Sequence, residues 1–545
     1  MRFRERGVVA LLAPIVLLAA AVRLRGVAFG LPHTQARPDE TIVIDVALAF
    51  LRGNFSPHFF DYPWLYMWAV SGSYLVYYAW GAATGVFGSL ADLAASWPLN
   101  WEPFFLINRT LSATLGTATV LVVFSIARRL WGPATGLVAA LFLALAFLHV
   151  RDSHFGTTDI TMTFFVMVAM ALFLRAHETR RAGMFMAAGA VAGLAAATKY
   201  NGLLLFVPLA ASVLVHAVES PGGRIAALVD RRLWLFTGAF LVTFGLGVPF
   251  IVLDNERFNM AMADLWRSMG TGTPHLTLNS GWRHHLELSL RHGLGLPLLV
   301  TSAMGILLVF AREPRAGVLL LSFPIAYFAI AGSLQYLFFR YTMPVVPFLA
   351  IVAARAVTWT VDAAVGSRWP RVAAMATAGI AVAVVGPSAW STWQFDRILA
   401  QTDSRVVVAD WFRENVRPGS SVLQSGSPYG YAQFDRDLGY TQWLWDRERR
   451  VFLANGRRPT PAMRPEWIVV QESPLPSQTQ PIVNAFLDEG YAIAWRLEAV
   501  ALERPHVYDQ QDAFFVPYAG FDGVERPGPN FTAYRRTAPP PSEVH

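Results

Sequence analysis

The sequence predicts a polytopic α-helical membrane protein of about 11 spans with a small C-terminal α/β domain. Three observations carry that expectation. Hydrophobic residues make up 54% of the 545-residue chain and charged residues only 15%, against about 25% charged in soluble domains. Apolar runs of about 20 residues, the length needed to cross a bilayer, recur as far as residue 390. From residue 391 onward the composition becomes that of a soluble domain.

In chain order, the candidate spans are residues 8–28, 106–127, 134–150, 160–176, 183–198, 200–217, 233–253, 295–311, 317–333, 343–360 and 372–390. The first, behind MRFRER, reads as a retained signal-anchor helix, because apolar character resumes in VAFGL and many spans follow. Connections after alternate spans read ARRLWG, LRAHETRRAG, GGRIAALVDRR, AREPRAG and AARAV with GSRWPR. Together with Arg2, Arg4 and Arg6, these segments hold sixteen arginines. Short connections on the opposite side hold three basic residues, Arg151, Lys199 and Arg340. The positive-inside rule then places the N-terminus in the cytoplasm and everything after residue 391 outside. The net charge of +7 thus reports topology, and no nucleic-acid partner is expected.

Residues 64–87 are apolar, but counting them as a span would invert every later loop. Their Trp and Tyr content suits an interfacial helix on the outer surface. The predicted organisation is a transmembrane module over residues 1–390 with outer loops 29–105 and 254–294. An external α/β domain over 391–536 and a disordered tail over 537–545 follow. In the external domain, TDSRVVVADWFRENVRPGSSVLQSG reads as helix, turn and strand. EWIVVQE reads as a strand, and PIVNAFLDEG with YAIAWRLEAV as helix then strand.

Cysteine is absent, which excludes disulfides, thiol nucleophiles and thiolate metal sites. His284 and His285 have no second metal-ligand spacing nearby, so no metal site is assigned. The ionisable groups that remain gather at outer helix ends. Asp39 and Glu40 lie in HTQARPDE after the first span, and Arg109 opens the second. Arg151, Asp152, His154 and Asp159 form RDSHFGTTD; Lys199 closes the fifth span; Arg340 and Tyr341 lie in SLQYLFFRYTMPVVP. Charged groups at membrane depth are costly and usually functional. Cations converging from separate helix ends suit a phosphate, and a nearby carboxylate suits a general base. Each residue also has a plainer reading. An arginine at a helix end can snorkel; an acid pair in PDETIVIDVALAF can offset a helix dipole; His154 can be a satisfied interfacial side chain. The two acids also offer oxygen ligands to a hard divalent cation, the one cofactor left open.

These motifs resemble the GT-C superfamily of integral-membrane glycosyltransferases, in particular the protein O-mannosyltransferase and aminoarabinose-transferase-like group, glycosyltransferase family 39 and relatives. The resemblance rests on RPDE, DYPWLYMW, NRTLSATLG, RDSHFGTTD, TKYNGL and RYTMPVVPFL, with TDSRVVVADWFRENVRPG and RPGPNFTAYRR in the soluble part. It runs through nearly the whole chain in order. It implies transfer of a sugar from a polyprenyl-phosphate donor to an acceptor hydroxyl on a protein, lipid or glycan. The site would face the periplasm at a bacterial inner membrane, and one base acting by direct displacement implies inversion. By the same resemblance Asp39 would be the base, with Glu40 orienting the acceptor or sharing the role. Arg109, Lys199 and Arg340 would hold the lipid phosphate. Arg151, His154, Asp159, Asp61, Tyr62, Trp64 and Tyr341 would line the cavity. The chain departs from the pattern at Tyr62-Pro63, where relatives carry tandem proline. Two other readings stay open: a polyprenyl-lipid transporter or flippase, for which no repeat symmetry is visible, and a non-catalytic envelope-assembly protein.

Overall fold

The computed structural model describes residues 5–56, 58–219, 230–271, 278, 280–366, 368–446, 448–460, 463–476 and 479–537. The predicted tail beyond residue 537 lies outside the described residues, as does Arg224 of the third arginine-rich connection. The chain divides into two compact units. The first comprises residues 1–25 and 42–393, the second residues 26–41 and 394–545.

The first unit is helical. Among the described residues, six helices are long and apolar enough to cross a membrane: Arg6–Leu24, Glu102–Trp131, Thr158–Thr179, Pro314–Ser333, Phe339–Val365 and the one opening at Pro370. Two further spans arise if each bent pair counts as one, Pro133–Leu145 with Phe147–Ser153 and Gly281–Leu294 with Leu296–Arg312. The remaining predicted spans fall on shorter elements. Ala182–Thr198 and Tyr200–His216 are apolar but short, and the 233–253 window breaks at Pro249 between Arg231–Gly247 and Phe250–Leu253. The predicted outer loop 254–294 is largely helical, with Asn255–Thr271 and Gly281–His284 in it.

Residues 65–83 form a one-sided helix burying Tyr66, Val70 and Tyr74, four residues apart on one face. Tyr66 Oη donates to Asn108 Oδ1 at 2.7 Å and Tyr74 Oη to the Phe104 carbonyl at 3.1 Å, seating it on Glu102–Trp131. Elsewhere small residues set the packing. A Cβ at Gly189 would fall 2.1 Å from the Phe236 carbonyl oxygen, and one at Gly193 2.5 Å from that of Phe240. This small-xxx-small spacing lets Ala182–Thr198 and Arg231–Gly247 approach backbone to backbone.

The predicted span 134–150 is instead broken by 57° at Ala146. Arg23, fully buried, donates to the carbonyls of Leu143 and Ala144, both at 3.1 Å, and to that of Ala19 at 2.9 Å. A helix ending inside a protein must satisfy its last carbonyls, and a guanidinium from the first helix does so here.

The second unit is built on a six-stranded mixed sheet in the order β3-β2-β1-β4-β6-β5. Its strands are β1 Ser421–Gln424, β2 Thr441–Asp446, β3 Val451–Ala454, β4 Trp467–Glu472, β5 Tyr491–Leu497 and β6 Asn530–Arg536. β1 pairs in parallel with β2 and β4; the other pairings are antiparallel. Because successive side chains point to opposite faces, Val422 and Val469 pack with Val408 and Phe412 of the Ser404–Asn415 helix. Leu423, Ile468 and Val470 pack on the other face with Val483 and Phe486 of Pro481–Asp488.

Residues 26–41 belong to this unit. Thr34 N–H donates to Gln433 Oε1 at 3.0 Å, and Gln433 Nε2 returns a bond to Thr34 Oγ1 at 2.7 Å. His33 Nε2 lies 2.7 Å from the Tyr431 carbonyl, and Phe29 meets Phe514 edge-on at 5.8 Å.

Candidate functional site

In the transmembrane unit, three helix ends bring their charges together. Asp159 sits in the first turn of Thr158–Thr179, where a carboxylate complements the positive end of the helix dipole. Lys199 follows the last residue of Ala182–Thr198, the negative end, in extended conformation at φ −153°. Arg340 lies in the short 3-10 segment Phe339–Val345. Lys199 Nζ donates to Asp159 Oδ1 at 2.7 Å, and Arg340 Nε stands 3.9 Å from Asp159 Oδ2. All three are buried. Aromatic faces complete the cluster. Lys199 Nζ is 5.9 Å from the Tyr62 ring centroid and 5.1 Å from that of Tyr341, and the Arg340 guanidinium is 4.2 Å from that of Phe338. Of the residues singled out from the sequence, Asp159, Lys199, Arg340, Tyr62 and Tyr341 therefore converge. Lys199 and Arg340 thus approach the two oxygens of one carboxylate from separate helix ends.

Arg109 and Arg151 each face an aromatic ring. Arg109 is fully buried with its guanidinium 5.3 Å from the Phe105 ring. Its neighbour Asn108 donates to the Gly156 carbonyl at 3.0 Å. Arg151 pairs with Asp152 at 3.1 Å and faces Phe155 at 5.1 Å. His154 Nδ1 lies 3.0 Å from the Val150 carbonyl and Nε2 2.9 Å from that of Arg25. Burial pushes its pKa down to about 4, with the Arg23 and Arg109 charges adding to the fall. A neutral imidazole carries one N–H, so it donates to one of these two carbonyls and not to both.

Near the Lys199 cluster, Asp61 is exposed at the surface, and partial burial of its carboxyl raises its pKa. Tyr200, next to Lys199, donates its hydroxyl to the Phe60 carbonyl at 2.9 Å. Trp64 is fully buried among Phe50, Phe60 and Phe250, with ring centroids 6.1, 5.4 and 5.4 Å away. Its indole N–H is taken by the Phe59 carbonyl at 2.5 Å. With no face left open, Trp64 packs the loop rather than offering a stacking surface.

The acid pair lies in the other unit, in the first turn of Pro38–Leu51. Asp39 keeps 31% of its side chain exposed, whereas Glu40 is fully buried. The sequence reading missed the residue that organises this turn, Arg37. Its buried guanidinium pairs with Asp512 and stands 3.8 Å from Asp39 Oδ2. The signal was the RPDE motif itself, a cation two residues from the acid; its second partner is too far along the chain to be inferred. Beside it, Arg405 forks onto Asp403 at 2.8 and 2.6 Å and donates to the Tyr429 carbonyl at 2.8 Å. Burial alone would raise the Asp403 pKa, but the Arg405 charge and hydrogen bonds carry it below the usual value. Among the described residues, no group of three or more His, Asp or Glu side chains is arranged to hold a metal ion.

A family profile described as Dolichyl-phosphate-mannose-protein mannosyltransferase matches residues 106–246, the stretch that carries Arg109, His154, Asp159 and Lys199. No curated protein matches the sequence. Among solved structures, ArnT from Cupriavidus metallidurans bound to undecaprenyl phosphate aligns with TM-score 0.52 at 15% identity, covering 97% of this chain and 98% of that one. The oligosaccharyltransferase AglB from Archaeoglobus fulgidus, in complex with an inhibitory peptide and a dolichol-phosphate, aligns with TM-score 0.51 at 14% identity, covering 85% of this chain and 69% of that one. The chain thus shares its fold with ArnT over nearly its full length, and residues 106–246 match the mannosyltransferase family profile.

Proposed function

We propose that the protein is a membrane glycosyltransferase that moves a sugar from a polyprenyl-phosphate donor to an acceptor hydroxyl, with inversion. The reaction would take place at the outer, periplasmic face of a bacterial inner membrane, with the N-terminus in the cytoplasm. The observation that carries this reading is the Lys199–Asp159–Arg340 cluster, two buried cations gathered from separate helix ends beside the aromatic rings of Tyr62 and Tyr341. It suits the charge change of the reaction. A prenyl-phosphate-sugar is a singly charged diester, and its phosphate gains a second negative charge as the sugar leaves. Fixed cations aimed at charge that develops only in the transition state supply the larger electrostatic share of catalysis.

In this scheme Asp39 accepts the proton of the acceptor hydroxyl. The acceptor oxygen attacks the anomeric carbon, and the bonding pair of the carbon–oxygen bond to phosphate leaves with the phosphate. Lys199 and Arg340 hold that phosphate. Arg37, 3.8 Å from Asp39, helps hold the carboxylate in place, and Glu40 orients the turn or the acceptor. A divalent ion held by Asp39 and Glu40 stays open as a cofactor and would compete with Arg37 for the Asp39 carboxylate. Arg109 is a second donor-side cation, and Arg151 and His154 support the wall it belongs to.

The test begins with mass spectrometry of lipid co-purified with the protein, which identifies the donor. Transfer from that donor is then assayed with Asp39→Asn. Loss of about 10²–10⁴-fold, with undecaprenyl phosphate still bound, is expected. Undiminished transfer removes Asp39 as the base.

A further inference from the structure

The transmembrane unit also holds a cavity of ≈ 830 Å3 that none of the candidate site residues touches, within the roughly 300–1,000 Å3 of ligand sites. It is built from helix ends on the arginine-rich side. Trp131 and Pro133 line it where one helix ends and the next begins, and Gly366 and Pro370 do so at a second such junction. Space comes from small side chains, Ala134, Ala374, Ala378 and Ala381; Ile15, Leu137 and Leu141 form apolar walls.

Its depth identifies the guest. Lining residues run from Pro370 to Ala381 on one helix and from Pro133 to Leu141 on another. At 1.5 Å per residue these stretches are about 16 and 12 Å long. Half of a hydrocarbon core of about 30 Å is about 15 Å. The slot is one leaflet deep. Its polar groups lie toward the helix ends: Thr358 and Asp362 are one turn apart on the same face, and Thr135 Oγ1 is 2.9 Å from Thr358 Oγ1. Arg355, at this level, is engaged by Glu313 at 3.1 Å. Arg368 and Arg371, flanking the lining residue Pro370, are exposed.

We propose that this slot binds one acyl chain of a glycerophospholipid bearing a primary-amine headgroup, drawn from the leaflet at the arginine-rich helix ends. Among the described residues, Asp362 is the one charged side chain that lines the cavity, so it receives the ammonium. A purely anionic headgroup would meet its repulsion. The phosphate is met by Arg368 and Arg371, whose charges a headgroup without phosphate would leave unanswered. The inference is independent of glycosyl transfer.

Full-length protein released in mild detergent, analysed by native mass spectrometry with lipid extraction, tests it. Wild type should hold one phosphatidylethanolamine per chain through washing. Ala378→Phe, which fills the slot, should lower retention about tenfold, equivalent to about 1.4 kcal/mol. Leu307→Phe, on an exposed apolar face away from the slot, should leave retention unchanged. Asp362→Asn should reduce the preference for phosphatidylethanolamine over added phosphatidylglycerol about two- to fivefold, the range of an exposed ion pair. If Ala378→Phe melts early, Ala374→Leu takes its place. Wild type without tightly held phospholipid overturns the proposal. So does a filled slot that still retains lipid, or an unchanged preference in Asp362→Asn.

Discussion

Lys199→Met separates a structural lysine from a phosphate-binding one. The substitution keeps an apolar stem of similar length and removes the charge that bonds Asp159 at 2.7 Å. Asp159 has only 4% of its side chain exposed, so a carboxylate is left buried with its closest partner gone. Breaking a buried pair by removing one member costs about 3–5 kcal/mol. Arg340 still stands 3.9 Å from the other oxygen, which places the expected loss near the lower end, about 3 kcal/mol. Thermal melting in detergent reads that loss. Asp159→Asn made in the same chain removes the stranded charge, and the double variant should recover most of the stability. Binding of undecaprenyl phosphate should not recover. A lost charge-assisted hydrogen bond is worth about 1.5–3 kcal/mol, so affinity should stay lower by about 10- to 150-fold. If the double variant binds the lipid as wild type does, Lys199 serves only to neutralise Asp159, and the phosphate assignment fails.

Three further outcomes can be measured directly. Trp64→Ala empties a fully buried aromatic position and should cost about 3–5 kcal/mol in stability, read by melting; a near-neutral effect would mean that the ring is not packed as described. Burial, aided by the Arg405 charge, depresses the His33 pKa from 6.5 to about 3. The unfolded chain therefore takes up a proton as pH falls below 6.5 while the folded unit does not, and stability declines by up to about 1.4 kcal/mol per pH unit until about pH 3. His33→Gln should flatten that slope between pH 6.5 and 5, as followed by melting; an unchanged slope would assign it to other groups. Chelation by EDTA should leave transfer intact, since side-chain cations already flank Asp39 and Asp159. Loss of transfer restored by added manganese would instead assign a metal to the acid pair.

Much of the helical unit was legible because apolar length is a local property. The windows 106–127 and 160–176 fall inside the helices Glu102–Trp131 and Thr158–Thr179. The bend at Ala146 was not legible, since the group that accommodates it, Arg23, comes from 120 residues earlier. In the sheet, β1, β4 and β5 were readable from β-branched and aromatic runs. β2, β3 and β6 were not; β6 is recognisable only through its pairing with β4 and β5. Convergence of Lys199, Asp159 and Arg340 was anticipated from topology, because positive-inside counting puts their helix ends on one side. The surroundings of Asp39 were hidden, because Arg37 finds Asp512 at a separation of 475 residues.

That separation has a consequence for biogenesis. Residues 26–41 leave the ribosome early, yet the groups that lock them in place, Gln433 and Asp512, are translated among the last. Because domains form as their segments emerge, the acid-bearing turn stays unfinished while the helices after it are inserted. A nascent chain stalled before residue 512 would carry its membrane helices without the clasp on Arg37. Acquisition of the acidic turn's final geometry is thus coupled to completed translation.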